Sequence, residues 1–290
     1  MKQRTLKHPL IIAFISLYLV AVTGLGIKNA RLMLSILPFS LALFALVALV
    51  LRLTKGYEVA AVPLKNPLPG LLFLFLCLAL HYFTKSWSLP QIGGSWKGTS
   101  LLLKLAFLFL LPALFFRLKE ESFLKSSLSP KNLREELKIA LVIGAAIIIP
   151  TFFLNPATWK PLVSGERPLT QALAAFPISL LYYFLLAAIP EEFFFRAFLQ
   201  ECGAQFLKSR ISGLIIASLI FGFLHIPGIM RWYGASLFEA SARAMMVQSL
   251  IGLVFGTIYE RTRSVVPLLV LHSFIDATSN LVLITQRLFG

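Results

Sequence analysis

Apolar residues run along this chain in long blocks separated by short polar or basic turns, from one end to the other. Nine blocks approach the ~20 residues that carry an α-helix across a bilayer. They are Pro9–Ile27, Leu32–Leu53, Leu68–Phe83, Leu101–Leu118, Leu137–Leu154, Leu173–Phe198, Ile211–Ile226, Ala244–Tyr259 and Val265–Leu288. The third and seventh are short, so the pattern fits eight or nine spans. Each must be helical, because hydrocarbon offers backbone N–H and C=O groups no partner. The pattern therefore predicts an all-α fold, a polytopic transmembrane helix bundle of about eight to nine spans. No small-residue cleavage site clearly follows the first block, which reads as an anchor that stays in the bundle.

Composition agrees with a membrane protein. Of 290 residues 58% are hydrophobic and 13% charged, against about 25% charged in soluble domains. The 27 Lys and Arg against 12 Asp and Glu give a formal charge of +15. In a soluble chain that excess would suggest nucleic acid; here it lies in loops and predicts contact with anionic lipid, with no nucleic-acid partner. Lys2, Arg4 and Lys7 precede the first span, Arg52, Lys55 and Lys65 follow the second, and Arg117, Lys119, Lys125, Lys131, Arg134 and Lys138 follow the fourth. With alternating spans these share one side, while the other carries sparser charge such as Lys28, Arg31, Lys160 and Arg167. The asymmetry predicts a cytoplasmic N-terminus in a bacterial-type plasma (inner) membrane. In the polar stretch Lys119–Lys138, Ser129-Pro130 predicts the start of a short interfacial helix, and Glu120, Glu121, Glu135 and Glu136 a solvated face. Cys77 and Cys202 lie in or beside apolar helix without CxxC spacing and read as packing residues.

A charge at the bilayer centre costs about 2.5–3.5 kcal/mol on insertion scales, so such residues are paired inside the bundle and point to function. Those read from the pattern are Glu191, Glu192, Arg196, His225, His272 and Asp276, all after about Leu173. The division expected is a scaffold of N-terminal helices, 1–168, and a working core, 169–290. Glu191 and Glu192 project about 100° apart on a helix, so one role cannot serve both. Glu192 and Arg196 are i,i+4 neighbours within pairing reach, which leaves Glu191 to face a cavity. Pro190 removes a backbone hydrogen bond and predicts a kink just before the pair. Phe221 and His225 share a face, and Pro227-Gly228 reads as a helix stop just after the histidine. His272 and Asp276 are again i,i+4. Gly252 and Gly256 have GxxxG spacing, which lets helices approach closely.

The order Glu191-Glu192…Arg196, Phe221…His225 and His272…Asp276 matches EExxxR, FxxxH and HxxxN or HxxxD, the pattern of the CPBP family of CAAX proteases and bacteriocin-processing enzymes. The chain resembles that family over about Leu173–Leu288, including the run from Gly252 to Asp276 into the last motif. The resemblance implies an intramembrane endopeptidase in which Glu191 activates water with help from His225, while His272 and Asp276 stabilise the oxyanion. Hydrolysis needs such a base and such a donor. Many relatives have Asn where this chain has Asp276, and an ionised Asp only accepts hydrogen bonds. Asp276 is then protonated, orients His272, or binds metal. A zinc site on His225, His272 and a carboxylate is the alternative to the favoured metal-free mechanism, although HExxH spacing is absent. The implied partners are membrane lipid and a peptide or protein substrate: a prenylated CAAX tail, a pheromone or bacteriocin leader, or a membrane-anchored regulator. A non-catalytic immunity or adaptor protein of the same fold is a second reading. A transporter with a proton relay is a third, and it predicts related halves that the sequence lacks. No Gly-rich phosphate loop or dinucleotide fingerprint occurs, so no soluble cofactor is expected.

Overall fold

The computed structural model describes residues 9–57, 59–86, 98–154, 156–166 and 168–290. Lys2, Arg4, Lys7 and Arg167 of the charge pattern lie outside the described residues. The described residues form helices, turns and loops, with no strand. Among them, eight helices are long and apolar enough to cross a membrane: Pro9–Lys28, Ala30–Leu53, Pro67–Lys85, Gly98–Lys119, Leu133–Phe153, Leu169–Phe206, Arg210–Tyr233 and Leu237–Thr262. Their outer faces carry Val20, Leu72, Leu141 and Leu173, all well exposed. A continuous apolar exterior is a liability in water and the natural surface in lipid.

The last predicted block is not one straight span. Val266–Ser279 and Leu281–Phe289 meet at 63°. Asn280 makes the break: its backbone N–H and its side-chain amide both donate to the Asp276 carbonyl, at 3.1 and 2.9 Å. A side chain that takes a helix carbonyl competes with the next helical turn.

The helix Leu169–Phe206 is 38 residues long, about 57 Å if straight, nearly twice the hydrocarbon thickness. It is not uniformly wound. Wide π-turns at Phe184–Ala188 and Phe193–Gln200 flank a short α stretch, Ile189–Glu192. Pro190 sits in that stretch without an N–H to donate, directly after the first wide turn. Such π-turns are frequent at functional sites.

The chain forms two compact units, 1–71 with 198–262 and 72–197 with 263–290. Each takes sequence from before and after residue 169. In the first unit the Leu237–Thr262 helix lies against Arg210–Phe223. A Cβ on Gly252 would sit 3.1 Å from the Ser218 backbone, and one on Gly256 would collide with Leu214. Gly222 answers from the other helix, where a Cβ would overlap Ser249. Asn29 donates to Glu239 Oε1 at 2.9 Å, linking the first helical turn after Lys28 to the Ser236–Glu239 capping box.

In the second unit aromatic rings carry much of the packing. Phe73 stacks on Phe115 with centroids 4.5 Å apart, and Phe109 meets Phe193 at 4.8 Å. The Val266–Ser279 helix is seated by Gly144, whose absent Cβ would lie 3.3 Å from Leu271, and by Ser179, which donates to the Ala277 carbonyl at 3.1 Å.

Two loop expectations are corrected. No helix begins at Ser129-Pro130: Ser129 ends the helix Glu121–Leu128, and the next helix starts at Leu133. Asn132 is the better cap, accepting from Glu135 N at 3.3 Å, while Glu136 accepts from Lys131 N at 2.7 Å. Glu136 is therefore fully buried and Glu120 nearly so, and only Glu121 and Glu135 form the solvated face. Similarly, Pro227-Gly228 opens a helix instead of closing one. The preceding helix stops at Phe223, and Pro227 occupies the first turn of Ile226–Tyr233, where a missing N–H costs nothing.

Candidate active site

The Ile189–Glu192 turn places Glu191 and Glu192 in the buried interior of the second unit, with side chains 9% and 0% exposed. Arg196 Nε donates to Glu192 Oε2 at 3.2 Å, and the guanidinium is fully buried. The i,i+4 spacing produces this contact even though the intervening helix is wound wide.

The second oxygen of Glu192 reaches another helix. His272 Nδ1 lies 2.7 Å from Glu192 Oε1. The other ring nitrogen, Nε2, is 3.5 Å from Asp276 Oδ2 and 4.0 Å from Glu191 Oε2. Glu192 thus holds Arg196 with one oxygen and the His272 ring with the other. The imidazole stands between two acids on its Nε2 side. The 4.0 Å gap to Glu191 exceeds hydrogen-bond length.

Glu191 is not left unpartnered, contrary to the expectation from spacing. Lys104 Nζ donates to Glu191 Oε1. Lys104 comes from the Gly98–Lys119 span and was missed because a lysine near the start of an apolar block reads as one that snorkels to the interface. Near it is His81, buried at 6% exposure. His81 too lies in a block that the sequence assigns to the scaffold.

His225 belongs to the first unit. It directly precedes the helix Ile226–Tyr233, half-buried, with its ring 4.7 Å from that of Phe221. Its Nδ1 donates to the Phe221 carbonyl at 2.7 Å. A carbonyl only accepts, so in the neutral ring Nδ1 carries the proton and Nε2 is the basic nitrogen. The FxxxH spacing therefore sets the tautomer of this histidine.

The second unit also holds an apolar pocket of about 310 Å³ lined by Pro177, Leu181, Phe184, Leu269, Ser273 and Phe274. It is walled by the helices that carry Glu191 and His272, yet none of the acids lines it. Among the described residues, no group of three or more His, Cys, Asp or Glu side chains is arranged to hold a metal ion.

Comparison with known proteins adds one match. Residues 173–278 fit the family described as type II CAAX prenyl endopeptidase Rce1-like. No curated protein and no solved structure matches. The matched stretch contains Glu191, Glu192, Arg196, His225, His272 and Asp276, and does not reach Lys104 or His81. This polytopic helical protein carries, at residues 173–278, an Rce1-like domain of the CAAX protease family.

Proposed function

We propose that the protein is an intramembrane endopeptidase that hydrolyses a peptide bond in a lipidated or membrane-anchored substrate, using water activated by Glu191. The observation that carries the reading is a cluster within apolar helix: buried Glu191, Glu192, Arg196 and His272 with half-buried Asp276, joined by contacts of 2.7–4.0 Å. Burying so many charges in a membrane protein is costly, and structure alone does not require it.

On this reading a water near Glu191 Oε2 gives one proton to that carboxylate as its oxygen bonds to the scissile carbonyl carbon. The carbonyl electron pair moves onto oxygen, and His272 Nε2–H stabilises the oxyanion. Since Nδ1 faces Glu192 at 2.7 Å, Nε2 can donate only when the ring carries both protons. Asp276, 3.5 Å from Nε2, serves that form as an acceptor and orients the ring. This accounts for Asp where relatives have Asn. Glu191 then delivers its proton to the amide nitrogen, the C–N bond breaks, and a carboxyl terminus and an amine leave. A general base of this kind contributes about 10²–10⁴-fold and a preorganised oxyanion donor about 10²–10³-fold. The family resemblance also implies a role for His225.

The same reading puts the N-terminus in the cytoplasm of a bacterial-type plasma membrane. Arg52, Lys55, Lys65, Arg117, Lys119, Lys125, Lys131, Arg134 and Lys138 support it as charges at or between the ends of spans that favour the inner side.

The test is cleavage of a panel of prenylated and transmembrane peptides by purified wild type and Glu191→Ala, with and without phenanthroline. The proposal expects cleavage by wild type that resists the chelator and vanishes in the variant. Equal cleavage by both proteins would refute Glu191 as the base. Loss with chelator and recovery with zinc would return the metal reading. Failure of every peptide, prenylated ones included, would favour the immunity or adaptor alternative.

A further inference from the structure

Lys104 lies within the Gly98–Lys119 span, six residues past its first residue, about 9 Å along the axis. A lysine at that depth ordinarily extends its stem toward the headgroups. This one does not: its side chain is only 22% exposed, and its ammonium donates to Glu191 Oε1. The contact engages one carboxylate oxygen and leaves Oε2 on the His272 side, 4.0 Å from Nε2.

The local structure holds Lys104 in place. The buried His81 ring lies close to it. One turn further the helix widens into a π-turn at Ala106–Leu110, and Phe109 from that turn packs on Phe193 at 4.8 Å. Phe193 directly follows Glu192. The lysine and the glutamate pair are therefore fastened together by rings as well as by charge. Charge balance points the same way. Without Lys104, the carboxylates of Glu191, Glu192 and Asp276 would face one guanidinium and one imidazole.

We infer that Lys104 is a positioning residue of the site, fixing the Glu191 carboxylate through Oε1 so that Oε2 is presented to the water beside His272. This rests on the reading of Glu191 as the base. It also means that the site is completed by a helix outside the matched 173–278 stretch. An ammonium at Oε1 prevents the carboxylate from rotating both oxygens away from the water, and only an ionised carboxylate can take the proton.

The experiment uses the full chain in lipid nanodiscs and the best-cleaved peptide of the panel. Lys104→Met is expected to lower kcat by about 10–100-fold with KM changed less than about twofold, the signature of lost orientation at the reacting atoms. Lys104→Arg should restore most of kcat, and added methylammonium should partly rescue Lys104→Ala. The double variant Lys104→Met/Glu191→Gln should be no slower than Glu191→Gln alone. A purely structural lysine would lower the melting temperature without amine rescue. Full kcat in Lys104→Met beside an inactive Glu191→Gln would overturn the role of Lys104 alone. Wild-type cleavage by Glu191→Gln would overturn the base, and Lys104 with it.

Discussion

In the first unit, Arg210–Phe223 and Leu237–Thr262 meet through glycines. Gly222 leaves room for Ser249, and Gly252 for the Ser218 backbone. In the second unit, the Glu191-Glu192 turn meets Val266–Ser279 through charge, with Glu192 held between Arg196 and His272. Lipid tails are as apolar as leucine, so apolar side chains alone do not choose a helix partner in a membrane. Close backbone approach and polar contacts do. The glycine contact achieves this without desolvating a charge, so it is sufficient as packing. The charged contact is an expensive way to hold two helices together, and its cost is the physical reason for assigning it chemistry.

Substitutions in each contact can break or sharpen this contrast. The largest stability effect is expected for Arg196→Met, which leaves the Glu192 carboxylate buried beside His272 without its guanidinium. Breaking a buried pair costs about 3–5 kcal/mol, read as a lower melting temperature in detergent. The double variant Glu192→Gln/Arg196→Met should recover much of that loss while remaining inactive. A stable single variant would show that the charge contact carries less than supposed. Gly222→Val should cost about 1–3 kcal/mol by overpacking, because its Cβ would stand 2.7 Å from Ser249 N and 2.9 Å from Ser249 Cα. Gln205→Ala removes hydrogen bonds to Val62 O at 3.0 Å and from Leu64 N at 2.7 Å, for about 1 kcal/mol. Glu121→Gln breaks an exposed ion pair with Lys125, and its melting temperature should match the wild type.

Hydropathy makes most of the helices legible, because each must satisfy its backbone internally and so writes its length into the sequence. Local spacing likewise makes the Glu192–Arg196 contact and the approach of His272 to Asp276 legible, as i,i+4 neighbours. Contacts between helices are not written that way. Nothing in the spacing announces that His272 Nδ1 turns to Glu192, 80 residues away in sequence. Lys104 was hidden for a related reason: beside an apolar block, a lysine that snorkels and one that turns inward look the same. Ser129-Pro130 and Pro227-Gly228 misled because serine, proline and glycine suit both ends of a helix, and neighbours such as Asn132 decided between them.

The account depends most directly on the Glu191 carboxylate. The decisive measurement is kcat for wild type and Glu191→Gln, matched for melting temperature, with the new peptide termini identified by mass spectrometry. The account predicts a fall of about 10²–10⁴-fold with the fold intact. A Glu191→Gln protein that cuts the same bond at the wild-type rate would contradict it.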